Sequence, residues 1–184
     1  MTTEEALRFL TDHQPMPRTE DAPEELLRQL DAVLTHFEVH RDPRCIPLLL
    51  NLFGEGDGYG VYQLVESVLL VYPEHLVVPH LINSLRDSSP WVRYWSTDIA
   101  ANYQNKDLID PLIDIAISDD DTLRALAIFA LGRYPAITMV PLLETVRHRA
   151  ISQRARRDID DLISRLLAST QPTDTVHHSD GLGD

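Results

Sequence analysis

The chain of 184 residues has one cysteine, Cys45. A single thiol excludes an internal disulfide and any zinc site built on several cysteines. No apolar run approaches the roughly 20 residues of a membrane span, and the opening residues lack the basic and apolar regions of a secretory leader. A reducing cytoplasm is therefore the expected compartment, with no membrane partner. Positive charge is also in short supply: 16 Lys and Arg stand against 29 Asp and Glu, a net charge of −13. The deficit lies in residues 1–146, with 23 acids and 10 bases, whereas residues 147–184 hold six of each. Such a body repels phosphate backbones and draws cations, so nucleic acid is not expected as a ligand and a basic protein is. No stretch alternates with the period of two that marks a strand.

What the chain does have is a repeat. The pair Leu81-Ile82 recurs as Leu49-Leu50, Leu112-Ile113 and Leu142-Leu143, and Tyr103 recurs 31 residues away on either side as Tyr72 and Tyr134. A fixed period near 31 marks a stacked array, because one helix pair cannot bury its own apolar face and leans on the next. Residues 3–13 read as a short helix capped by Thr2 or Thr3, and Pro23 opens a long helix carrying Leu26, Leu27, Leu30, Val33, Leu34 and Phe37. This first pair, within residues 1–41, lacks the repeat signature and is expected to cap the stack. Four repeats follow over 42–168, making one domain of residues 1–169. Residues 170–184 have no periodicity and are expected to be disordered. The expectation is an all-α, right-handed α-solenoid of about five antiparallel helix pairs.

The stretches Asp42-Pro-Arg-Cys-Ile-Pro-Leu-Leu49 and Leu85-Arg-Asp-Ser-Ser-Pro-Trp-Val-Arg-Tyr-Trp95 resemble HEAT repeats, of the short bacterial subclass also seen in phycobilin-lyase subunits. The resemblance covers about residues 42–168. It implies that the turn acid Asp87 and the second-helix Arg93 tie one repeat to the next. Repeat three keeps Arg124 but has Ser118 at the acid position, with Asp119, Asp120 and Asp121 just after. Repeat one has Glu55, with Val61 in place of the arginine. The resemblance also implies that the second helix of each pair lines a concave surface.

Two features stand out on that surface. Four of the seven glycines fall within Gly54-Glu-Gly-Asp-Gly-Tyr-Gly60, a turn that the other repeats build from Asp, Ser and Pro. The glycines suit a helix cap or a rim loop for a partner; Glu55 and Asp57 would repel a phosphate and are too few for calcium. Beside the loop, an offset of 32 aligns Tyr59 with Trp91, Tyr62 with Tyr94 and Glu66 with Asp98. Val61, Leu64, Val65 and Val68 are expected to face the core along with Val92, Trp95 and Ile99. Tyr62, Glu66, Trp91, Tyr94 and Asp98 then share the opposite face. The candidate partner-binding set is thus Glu55, Asp57, Tyr59, Tyr62, Glu66, Trp91, Tyr94 and Asp98, an acidic and aromatic groove.

Catalytic patterns are missing. Glu74-His75 with His80 matches no metalloprotease spacing, and His177-His178 lies in the tail. Cys45 is expected to be buried and inert, and the basic cluster Arg147–Arg157 to be a solvated face. No catalytic residue, metal site or cofactor is expected. These features point to a non-enzymatic module, monomeric or weakly oligomeric, that grips a basic protein. A bacterial immunity protein neutralising a basic toxin is one form; an adaptor or assembly factor, or a bilin-handling protein, is the alternative.

Overall fold

The structure, a computed structural model, describes residues 1–169, and the expectation for 170–184 lies outside them. The described residues form ten α-helices and no strand. They are α1 (Thr3–Asp12), α2 (Glu24–Val39), α3 (Cys45–Leu50), α4 (Val61–Leu70), α5 (Glu74–Ser84), α6 (Pro90–Ala100), α7 (Ile109–Ala116), α8 (Asp121–Leu131), α9 (Ala136–Val146) and α10 (Gln153–Ser169). Short 3₁₀ turns, such as Gly58–Gly60 and Lys106–Leu108, lead into α4 and α7.

Local chemistry sets the helix starts. Thr2 caps α1 in a reciprocal box with Glu5, so two otherwise unpaired backbone donors are satisfied at once. Ser89 caps α6 with Pro90 as its first residue, where the missing N–H costs nothing. Asp120 caps α8 by accepting the N–H groups of Thr122 and Leu123. A proline recurs at 47, 79, 111 and 141, just ahead of each repeated aliphatic pair. It falls in the first turn of α3 and α7 but inside α5 and α9.

Packing is in two layers. The first helices α1, α3 and α5 contact in succession, and the second helices do likewise through α2–α4 and α6–α8–α10. Between the layers runs one apolar core from Ala6 to Leu166, with Leu49, Leu81 and Leu112 fully buried at corresponding positions; in the last repeat the second member of the pair, Leu143, is buried and Leu142 is exposed. Two of the three repeated tyrosines tie successive layers together through their hydroxyls, while the buried Tyr103 hydroxyl has no hydrogen-bond partner. The Tyr72 hydroxyl accepts the Asp42 N–H (3.1 Å), and the Tyr134 hydroxyl donates to the carbonyls of Tyr103 (3.2 Å) and Asn105 (2.9 Å). This arrangement is an α-solenoid.

The repeat-to-repeat ion pair differs from expectation. Asp87 accepts the Ser89 N–H (2.7 Å) within its own turn, and Arg93 forms no ion pair among the described residues. The role falls instead to Arg124, whose side chain is almost wholly buried. Its guanidinium meets Asp121, donates to Asp158 of α10 (2.6 Å), and donates to the Ser118 carbonyl (3.2 Å). Of the three aspartates that follow Ser118, Asp121 thus supplies, together with Asp158, what the missing turn acid does not, while Asp120 caps α8.

Candidate functional site

The glycine-rich turn is held rigidly against the N-terminal segment. Thr19 Oγ1 donates to the Glu55 carbonyl (3.1 Å) and accepts the Gly58 N–H (2.8 Å). Arg18 pairs with the Glu55 carboxylate at 3.1 Å. On the opposite side, the Trp95 indole N–H donates to the Gly56 carbonyl (3.2 Å), and the Gly54 N–H donates to the Tyr62 hydroxyl (3.3 Å). Glycine is needed for close approach: a Cβ on Gly54 would sit 2.0 Å from the Met16 carbonyl oxygen, and one on Gly56, at φ +99°, 2.2 Å from Thr19 Oγ1. The product of this scaffold is Tyr59. Its backbone is left-handed (φ 50°), the Asp57 carboxylate accepts its N–H (2.9 Å), and its ring is 69% exposed. A non-glycine residue held there is strained.

Beside this turn, α4 and α6 enclose a pocket of about 290 Å³ lined by Tyr62, Gln63, Glu66, Trp95, Asp98 and Ile99. Its two carboxylates, Glu66 and Asp98, are half-buried and form no ion pair among the described residues. Burial pushes the Glu66 carboxyl above its usual range and the Asp98 charge adds to this, against a hydrogen bond from Asn102 and the charge of Arg133. Burial alone raises Asp98. Two desolvated carboxylates facing each other favour the arrival of a cation, which relieves both penalties.

The expected set of eight therefore divides. Glu66 and Asp98 do converge. Tyr59 and Asp57 do not line that pocket but belong to the turn whose Gly54 and Gly56 contact Tyr62 and Trp95, while Glu55 is tied to Arg18. Trp91 and Tyr94 are half-buried neighbours on α6 (ring centroids 6.5 Å apart) outside the carboxylate pocket. Tyr62 is the correction. It is only 1% exposed, packed edge-on against Phe53 and Trp95, because α4 is rotated from the expected register. Tyr62, Val65, Val68 and Leu69 face the core, leaving Leu64 exposed and Val61 at the margin. Trp95, expected to be structural only, forms a wall of the pocket as well. The repeated alignment signalled its neighbourhood but not its double role.

Cys45 is buried, its thiol 3.2 Å from the Tyr72 hydroxyl and pushed up by burial to about 11, which leaves it protonated and unreactive. Within the basic cluster, Arg147, Arg149 and Arg154 pair with Asp160, Asp114 and Asp121. Among the described residues no group of His, Cys, Asp and Glu has the geometry of a metal site, and no helix is long and apolar enough to cross a membrane. No curated protein matches the sequence. Residues 78–162, from the middle of α5 into α10, match the family model of HEAT repeats. Over that stretch the stacked helix pairs and the buried arginine joining α8 to α10 agree with the match to HEAT repeats.

Proposed function

We propose that this protein is a binding module for a basic protein, and that the pocket between α4 and α6 takes a lysine or arginine side chain from it. The observation that carries this is the pair Glu66 and Asp98, half-buried, in no ion pair among the described residues, and lining one pocket with Trp95 and Tyr62. Aromatic walls add attraction for a cation, and their rigidity lowers the ordering cost of docking. Tyr59 on the neighbouring turn, with Trp91 and Tyr94 further along α6, provides apolar anchoring around that charge. The net charge of −13 supports approach of a basic surface.

Affinity capture from the native cell, run in parallel with wild type and with Glu66→Gln/Asp98→Asn, tests this reading. A stoichiometric basic protein held by the wild type and lost from the double variant is the expected result. The same proteins retained by both would remove the pocket from the interface. A bacterial immunity protein against a basic toxin and an adaptor are both modules of this kind. Co-expression that rescues growth from the captured protein's toxicity selects the first.

A further inference from the structure

A second pocket, of about 240 Å³, opens between repeats two and three. Leu85 and Arg86 at the end of α5, Arg93 of α6, Asp114 and Ile115 of α7, and Ser118 and Asp120 of the following turn are among its lining residues. Two buried polar atoms here, Arg93 Nε and Ser118 Oγ, have no hydrogen-bond partner. Arg86 forms no ion pair among the described residues either. The acids of the pocket, by contrast, are engaged. Asp120 Oδ1 accepts the N–H groups of Thr122 and Leu123 (3.0 Å each), and Asp114 pairs with Arg149 at 3.5 Å. A buried donor without an acceptor costs stability, so this arrangement suits an acceptor brought from outside.

The next layer shows what an arginine at this position binds. Arg124, 31 residues on, is held by the carboxylates of Asp121 and Asp158 and the Ser118 carbonyl. Set back by the same 31 residues, Asp121 and Asp158 fall at Pro90 and Ala127, which offer no carboxylate. We infer that the Arg86–Arg93–Ser118 pocket is a binding site for a carboxylate group, with Arg93 Nε and Ser118 Oγ donating to its oxygens and Arg86 closing over it. Two arginines against two aspartates leave the lining neutral, so a monoanion is accommodated where a phosphate dianion meets Asp114 and Asp120. The carboxylate comes either from a small free acid or from an acidic side chain of a partner.

Nuclear magnetic resonance of the Arg93 Nε–Hε signal tests the site. The full chain is titrated with acetate, with a doubly blocked glutamate, with phosphate, and with chloride at matched ionic strength. Acetate and blocked glutamate are expected to shift the signal saturably. Ser118→Ala is expected to weaken both by about tenfold, as loss of one hydrogen bond to a charged group does, with an unchanged thermal midpoint. Arg86→Gln should weaken both as well, with Arg93 still present to report. Blocked glutamate binding more tightly than acetate identifies the source as a protein side chain, and equal binding a free acid. A shift that grows linearly and equally with chloride, one unaffected by Ser118→Ala and Arg86→Gln, or tighter binding of phosphate overturns the proposal.

Discussion

Arg124 shows how one side chain couples two repeats. With its charge almost wholly buried and both carboxylate partners part-exposed, the cation is the member that cannot be left alone. Asp158→Ala should therefore cost about 2–4 kcal/mol in urea unfolding, since it strips a buried guanidinium of an acceptor. Asp160→Ala, which breaks an exposed pair with Arg147, should cost under about 1 kcal/mol. Equal effects would mean that Arg124 finds a substitute partner. Gly54 sets a different limit. A Cβ added there would meet the backbone oxygens of Met16 and Pro17 at 2.0 and 2.7 Å, with no flexible atom to yield. Gly54→Ala is expected to destabilise by about 1–3 kcal/mol through forced displacement. The same variant should loosen the Trp95 contact to the loop, readable as a red shift of tryptophan emission; unchanged emission would show that the turn is not clamped through Gly54.

At the scale of the helix, burial of Leu81 and Leu112 at matching positions of α5 and α7 predicts matching losses. Truncation of either to alanine should cost about 2–5 kcal/mol. The two helices α4 and α6 carry a proton-linked prediction. Glu66 and Asp98 titrate above their ordinary values in the folded protein. Their charged forms thus weigh against folding at neutral pH, and that penalty is relieved as pH falls through the raised values toward about 4. A docked cation reverses the shift, so the complex should tighten as pH rises through the window just above the ordinary carboxylate range. Glu66→Gln should stabilise the free protein at neutral pH by under about 1 kcal/mol and flatten the pH dependence of binding. A steeper dependence in the variant would place the titration elsewhere. These helices also show why the site was only partly readable. Spacing of Glu66 and Asp98 by the repeat length brought them together without any coordinates. The rotation of α4 did not show, because Val61, Leu64, Val65, Val68 and Leu69 leave two apolar faces to choose between. The choice was made by Phe53 and Trp95, which stack on each other and both meet the Tyr62 ring edge-on, drawing it into the core.

For the whole molecule the period near 31 was enough to order the eight helices α3–α10 into layers, since the aliphatic pairs and the closing tyrosines report the same neighbour relation. What a period cannot convey is departure from itself, and the two sites proposed above rest on departures, a glycine-rich turn in repeat one and an arginine without its acid in repeat two; the buried ion cluster of repeat three is a third. Charge is the one molecular property that acts beyond contact distance. An excess of 13 negative charges would steer the proposed basic partner from afar, and ions screen such an attraction over about 10 Å at 0.1 M salt. Contacts inside the aromatic-walled pocket are short-ranged and dehydrated, so salt reaches them poorly. For the captured partner, stopped-flow association should therefore slow by about tenfold or more between low and high salt while dissociation changes little. Glu66→Gln should do the reverse, quickening dissociation with a nearly unaltered association rate, because one charge in 13 hardly changes the distant field. An association rate indifferent to salt would mean that the acidic surface plays no part in finding the partner, whatever the pocket holds.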